Sequence, residues 1–133
     1  MKMEAAKTPR TQPVRVLIAD DEPLFVETVE ALLADDDRVE VVGTARNGQD
    51  AVDLATALGP DLTVMDISMP VLDGIEAARR IRLEQPSACI LILTGSSISA
   101  DVDRARQAGV AGFLTKDRLG TQLVDAILEL GSK

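Results

Sequence analysis

Five short apolar segments recur along this chain, and each is followed by a stretch with the periodicity of an amphipathic helix. These segments have the length of buried strands, and their near-continuous apolar character is typical of parallel strands covered on both faces. Strands that alternate with helices at this spacing favour right-handed crossovers. The predicted fold is therefore α/β, a doubly wound five-stranded parallel sheet with five helices. The predicted strands are 15–19, 39–44, 62–65, 89–93 and 112–115, and the predicted helices are 23–34, 48–58, 74–84, 100–108 and 119–130.

Length and composition predict one domain and exclude several functional classes. We expect a flexible polar tail over residues 1–13 and one domain over residues 14–131. The net charge of −8 argues against direct nucleic-acid binding, which uses a basic face. No segment approaches the ~20 apolar residues that span a bilayer. The single cysteine, Cys89, fits a reducing cytoplasm, and the absence of histidine excludes a phosphohistidine carrier and a histidine-based catalytic triad.

Polar side chains stand where four of the apolar segments end. Because ligands of open parallel sheets bind outside the carboxyl ends of the strands, we expect these side chains to surround one small site. They are Asp20 and Asp21 after the first segment, Asp66 after the third, Thr94 after the fourth and Lys116 after the fifth.

This set of side chains is suited to a metal ion and a phosphoryl group. Three neighbouring carboxylates repel one another unless a cation joins them, and Mg²⁺ prefers such ligands. Asp66 is the best candidate nucleophile, because carboxylates accept phosphoryl groups as acyl phosphates. The reaction needs an in-line donor and charge neutralisation, which Mg²⁺ and Lys116 would supply. The Thr94 hydroxyl could donate a hydrogen bond to a phosphoryl oxygen.

Each residue also has a plainer interpretation. Acidic residues before Pro23 would cap the following helix. Thr94 would be an ordinary strand-end residue, and Lys116 a solvated surface lysine. Capping does not explain why Asp66 stands at the end of a different strand. The presence of polar residues at four strand ends therefore favours a common site.

The motifs at these strand ends resemble those of response-regulator receiver domains of two-component signalling systems. The matching stretches are VLIADDEP, LTVMDISMPVLDGIEAARRIR, CILILTG and AGFLTKD. The resemblance covers residues 15–130 and implies the flavodoxin-like strand order 2-1-3-4-5. It also implies phosphorylation by a sensor histidine kinase, and no enzymatic activity beyond self-directed phosphoryl transfer and autodephosphorylation.

The resemblance also implies roles for individual residues. One set would hold the metal ion and the phosphoryl group: Asp66 as phosphoacceptor, Asp20 and Asp21 as the acidic pair that binds Mg²⁺, Ser68 through its backbone carbonyl, and Lys116 as the phosphate-pairing lysine. A second set would switch: Thr94 would move toward the phosphoryl group and Phe113 would turn inward. That motion would repack the face of the fourth helix, fifth strand and fifth helix. Plain core packing would explain Phe113 equally well.

Four positions affect which properties of the family we expect this chain to share. Gly95 follows Thr94 where the family usually has alanine, which predicts a more mobile loop. Asp117 follows Lys116 where many receivers have proline. Ser68 and Ser96 occupy two variable positions thought to tune dephosphorylation, and their small size predicts that water reaches the acyl phosphate.

Three functional hypotheses follow. The favoured one is a stand-alone receiver that controls an unknown downstream protein, with a homodimer through the fourth-helix face left open. The second is the receiver portion of a DNA-binding regulator, truncated before its helix-turn-helix domain, since nothing after Leu130 resembles one. The third is an aspartyl-nucleophile phosphatase, but haloacid dehalogenases carry a general acid two residues after the nucleophile, where this chain has Ser68.

Overall fold

The computed structural model describes residues 12–95 and 99–132 of the chain. Most of the predicted tail lies outside these residues, as does Ser96. Five strands and five helices alternate, as predicted, and a short 3₁₀ turn, Lys116–Arg118, precedes the last helix. The strands are β1 (Val14–Ala19), β2 (Val39–Ala45), β3 (Leu62–Asp66), β4 (Ile90–Thr94) and β5 (Gly112–Thr115), and the helices are α1 (Pro23–Ala34), α2 (Gly48–Leu58), α3 (Gly74–Glu84), α4 (Ser99–Gln107) and α5 (Leu119–Gly131).

The strands form one parallel sheet in the order β2-β1-β3-β4-β5. This confirms the predicted flavodoxin-like fold. The boundaries differ slightly, because β3 includes Asp66 and β4 runs from Ile90 to Thr94 rather than from Cys89 to Leu93. Backbone pairing continues to these polar residues because a ladder depends on the main chain and not on side-chain polarity.

Two apolar layers enclose the sheet. On one face, the side chains of α2 and α3 pack against strand residues such as Leu17 and Ile92. On the other face, α1 and α5 pack against residues such as Ile18 and Leu93. Among the described residues, no helix combines the length and the apolar character that crossing a membrane requires.

The strand register determines which residues meet at the carboxyl edge. Ala19 of β1 pairs with Met65 of β3, so Asp20 and Asp66 follow at the same level of the sheet. Asp66 pairs with Leu93, and Thr94 pairs with Thr115, the residue before Lys116. The register therefore brings the predicted site residues to one edge.

Candidate functional site

Three carboxylates meet at the carboxyl edge of the sheet. One oxygen from each of Asp20, Asp21 and Asp66 lies within 4.8 Å of the other two. Asp20 and Asp66 are buried, whereas Asp21 is exposed at the rim. The structure therefore brings together the acidic residues that were predicted to meet, and it leaves one of them open to solvent.

Asp20 is fixed by hydrogen bonds at both carboxylate oxygens. Oδ1 accepts the Glu22 backbone N–H at 2.9 Å, and Oδ2 accepts a hydrogen bond from Lys116 Nζ at 3.0 Å. The Glu22 amide lies in the turn before α1, so Asp20 stabilises the approach to this helix. Glu22 is the N-cap residue of α1 and its own side chain makes no capping hydrogen bond, so Asp20 Oδ1 holds the turn before the helix rather than capping it.

Lys116 lies among the carboxylates rather than in solvent. Its Nζ is 3.0 Å from Asp20 Oδ2, 3.4 Å from Asp66 Oδ1 and 3.7 Å from Glu22 Oε1. Burial disfavours the ammonium, but the hydrogen bond to Asp20 and the charge of Asp66 outweigh burial and raise the Lys116 pKa. Lys116 therefore stays positively charged at neutral pH.

Asp66 is a carboxyl group with a strongly perturbed pKa. Its burial, followed by the negative charge of Asp20, raises the pKa from 3.8 to about 6, although Lys116 opposes the increase. At neutral pH Asp66 is mostly ionised, and the positive charge of Lys116 balances its negative charge only in part. A carboxylate of this kind is stabilised by any further positive charge.

The donor set fits a hard divalent cation such as Mg²⁺. Three carboxylates facing one ammonium leave two uncompensated negative charges, which a divalent ion would balance. All the side-chain donors are oxygens, which this ion prefers. The oxygens of Asp20, Asp21 and Asp66 would hold the ion.

The loop between β3 and α3 packs tightly behind Asp66. A Cβ atom at Gly74 would overlap the backbone carbonyl oxygen of Asp66, so only glycine allows the start of α3 to come this close. The Gly74 N–H donates to the Ile67 carbonyl oxygen at 2.8 Å. Asp73 caps α3 by accepting the Glu76 N–H at 2.8 Å.

The same loop also packs against α2. A Cβ atom at Gly48, the first residue of α2, would overlap the backbone of Leu72. Between these contacts the loop makes a tight turn, in which the Leu72 N–H donates to the Pro70 carbonyl oxygen at 2.7 Å. Val71 at the centre of this turn has a φ of 71°, which is unusual for a β-branched residue. Neighbouring elements thus hold the loop on two sides.

The residues predicted to switch lie on the β4–β5 side of the site. Thr94 is buried one residue beyond Leu93, which pairs with Asp66. Phe113 is half-buried, pairs with Ile92, and lines two cavities of about 530 and 200 Å³. Ser68 is exposed two residues after Asp66. The roles of Thr94, Phe113 and the Ser68 carbonyl stay predictions.

Sequence reasoning missed three contacts around the site. The Phe25 ring lies under Lys116, with its centroid 4.0 Å from Nζ. Glu22 also approaches this ammonium, and Arg104 of α4 forms an ion pair with Asp73 at 3.0 Å. Phe25 follows the acidic pair closely in sequence, which placed it near the site, but only coordinates reveal the contact of its ring face.

Comparisons with known proteins agree with this geometry. A family model described as "Response regulator receiver domain" matches residues 16–128. The transcriptional regulatory protein LnrK of Bacillus subtilis is 36% identical over 119 residues, which cover 90% of this chain and 54% of LnrK. A protein-glutamate methylesterase/protein-glutamine glutaminase of Pseudoalteromonas translucida is 41% identical over 90% of this chain and 32% of that protein.

A solved structure extends the likeness to the backbone. The signal receiver domain of NarL from Mycobacterium tuberculosis superposes with a TM-score of 0.87 at 37% identity, covering 91% of this chain and 98% of that domain. By contrast, the chain spans about half the length of LnrK and a third of the methylesterase. The likeness therefore concerns one domain of these longer relatives.

Proposed function

Because the chain belongs to the response regulator receiver domain family, we propose that it is a phosphoacceptor module of a two-component signalling system. Asp66 takes a phosphoryl group from a sensor histidine kinase in the cytoplasm, within a receiver unit of residues 14–131. The observation that carries the proposal is the buried Asp66 carboxylate, grouped with Asp20 and Asp21 and contacted by Lys116.

The proposed reaction is a direct transfer between two nucleophiles. An Asp66 oxygen attacks the phosphorus in line with the donor nitrogen, so that an O–P bond forms as the N–P bond breaks. The histidine nitrogen keeps the electron pair and takes up a proton. Asp20, Asp21, Asp66 and the Ser68 carbonyl would hold Mg²⁺, which would supply positive charge to balance the phosphoryl oxygens.

Two side chains complete the proposed chemistry. Lys116, already beside Asp66, pairs with a phosphoryl oxygen, because its long stem carries a compact charge that can reach the new anion. Thr94 donates its hydroxyl hydrogen to another phosphoryl oxygen. Phe113 then turns inward, and the surface of α4, β5 and α5 changes for a downstream partner protein.

A second candidate concerns the output rather than the chemistry. LnrK is a transcriptional regulatory protein, and the match covers about half of it. This favours a receiver that acts within a DNA-binding regulator, in which a separate domain would contact DNA. The receiver itself, with a net charge of −8, would not bind nucleic acid. The enzyme activity named for the methylesterase relative is not proposed for this domain.

The deciding experiment for the acceptor uses Asp66→Asn. Asparagine keeps the size of the side chain but is a poor nucleophile, so the variant should take up no phosphate from acetyl phosphate. The wild type should gain one phosphoryl group that hydroxylamine removes, as expected of an acyl phosphate, measured by intact mass. Asp50→Asn, an exposed residue of α2, is the matched control and should label like the wild type. Equal labelling of the Asp66 variant would refute the proposal.

The metal site is tested separately by calorimetric titration with Mg²⁺, since the chain has no tryptophan or tyrosine to report binding. Asp21→Asn should weaken Mg²⁺ binding by about tenfold or more, because even outer partners of metal ligands contribute 10–100-fold. Glu27→Gln removes an exposed charge from α1 and should leave the affinity close to that of the wild type. An unchanged titration of the Asp21 variant would remove this residue from the site.

A further inference from the structure

The Lys116 ammonium is held by an aromatic ring as well as by carboxylates. Its Nζ lies 4.0 Å from the centroid of the Phe25 ring, well within the range of a cation–π interaction. Phe25 is half-buried and packs against the apolar layer formed by α1 and α5. The ring is therefore a fourth neighbour of the ammonium, in addition to the carboxylates of Asp20, Glu22 and Asp66.

Phe25 stands on a well-defined part of the backbone. Pro23 is the first residue of α1 and fixes its own φ, which favours the start of a helix. The Val26 N–H donates to the Glu22 carbonyl oxygen at 3.1 Å, closing the first turn around Phe25. The ring thus belongs to a rigid element, whereas the four-carbon stem of Lys116 is flexible.

Carboxylates in different places compete for this ammonium. Asp20 and Asp66 attract Nζ into the site, at 3.0 and 3.4 Å. The Glu22 side chain, 69% exposed, attracts it outward from 3.7 Å. Without a further contact, the flexible lysine would divide its time between these partners. The face of a fixed aromatic ring limits where the charge can settle.

We propose that Phe25 is a positioning residue, which holds the Lys116 ammonium beside Asp20 and Asp66 and thereby speeds phosphoryl uptake through Lys116. This rests on the function proposed above. Replacing Phe25 with leucine removes the ring but keeps an apolar side chain in the same layer, whereas tyrosine keeps the ring. A cation–π contact at this partly buried position predicts a loss of about fivefold in rate for Phe25→Leu.

The first test examines only the position of the Lys116 side chain relative to the Phe25 ring, and it needs no phosphoryl transfer. A methylene group next to an aromatic face is shielded by the ring current, so the Lys116 ε-methylene protons should resonate upfield of those of exposed lysines in NMR spectra. Phe25→Leu should abolish the upfield shift and Phe25→Tyr should preserve it. A lysine signal at the ordinary position in the wild type would overturn the proposal.

The second test examines the reaction through a double-mutant cycle. The rate of phosphorylation by acetyl phosphate should fall about fivefold in Phe25→Leu and return to near the wild-type rate in Phe25→Tyr. In a Lys116→Ala background, Phe25→Leu should have no further effect, because the ring would act only through the lysine. Equal losses in both backgrounds would show a merely structural role and overturn the proposal.

Two controls keep the outcomes distinct. Urea unfolding checks that Phe25→Leu folds, and Phe25→Met is the second non-aromatic replacement if it does not. If the wild type takes up no phosphoryl group at Asp66, the proposed function fails and the effect on the reaction fails with it. The NMR shift would then still decide whether Phe25 holds Lys116 in place.

Discussion

The two sides of the acidic site are built differently. On one side, called here the packed side, the loop 66–74 lies between α2 and α3 with glycines at both contacts. On the other, called here the open side, Gly95 leads from β4 toward α4. Apart from its neighbours in the chain, no described residue has an atom within 4 Å of a Cβ placed at Gly95. Of the described α4 side chains, residues 100–107, only Ala105 is buried.

This difference gives the two sides different expected roles. The packed side would support the proposed phosphoryl transfer, and the open side would support the proposed conformational change. The packed side holds the Asp66 backbone in one position, as the proposed nucleophile requires. The open side has few buried apolar contacts, which is typical of elements that move at low free-energy cost. A charge change at Asp66 would therefore be passed to α4 more readily than to α3.

Gly74→Ala is the substitution that should most disturb the packing of the packed side. The added Cβ would overlap the Asp66 carbonyl, so we expect the free energy of unfolding to fall by about 3 kcal/mol or more. The helix preference of alanine, ~1 kcal/mol at most, cannot offset this. Gly95→Ala on the open side is the matched control and should change stability by less than ~0.5 kcal/mol. Equal urea midpoints for the two variants would show that the two sides do not differ.

A second prediction concerns the charge that the packed side encloses. The pKa of Asp66 is about 6 when folded and 3.8 ordinarily, so the folded protein holds the proton more tightly. Stability should therefore fall as pH rises from about 4 to about 6, and the loss should persist above that; it is at most about 3 kcal/mol, because solvent screens part of the charge. The Asp66→Asn variant has no ionisable group at this position, so its stability should not fall in this way as pH rises.

Urea unfolding in EDTA at a series of pH values measures the effect. The stability of Asp66→Asn relative to the wild type should grow across this pH window and then level off. Saturating Mg²⁺ should reduce the difference at pH 7, because a bound cation compensates the charge. Parallel pH profiles for the two proteins would contradict the assigned pKa.

The smallest effect should come from the contact that joins the two sides. Arg104 of α4 pairs with Asp73 at 3.0 Å, and both side chains are half-exposed, so the pair contributes less than ~1 kcal/mol. Arg104→Gln should raise amide exchange in α4 by about two- to fivefold and leave α3 unchanged. Asp73→Asn loses the charge but keeps a good helix cap, so it should raise amide exchange in α4 to the same extent as Arg104→Gln. Unchanged exchange in α4 would show that this ion pair does not restrain the helix.

The fold was predictable because its signals are local. The apolar strands and their parallel arrangement follow from short stretches of sequence, and the strand order follows from the family resemblance. Predicted boundaries were least accurate at strand ends, where Asp66 and Thr94 continue the backbone ladder although they are polar. The helical period over 23–34 predicts that Phe25, Val29, Leu32 and Leu33 share one face of α1. Val29 and Leu33 are buried, but Leu32 is 38% exposed.

The site was predictable as a meeting of strand ends but not in its details. Asp20, Asp66 and Lys116 could be grouped because the carboxyl ends of parallel strands share an edge. The ring of Phe25 under the ammonium depends on side-chain direction in α1. The pairing of Arg104 with Asp73 depends on how α4 lies against the sheet. Neither follows from spacing along the chain.

One last feature concerns the opposite end of the sheet. Gly131, at the end of α5, lies so close to Val14 that an added Cβ would overlap its side chain. Val14 begins β1, and Asp20, six residues later, lies at the acidic edge, roughly 20 Å away. Fluorescent reporters attached before Val14 or after Gly131 would thus lie at a single corner, remote from the acidic site, and would not obstruct the proposed phosphorylation.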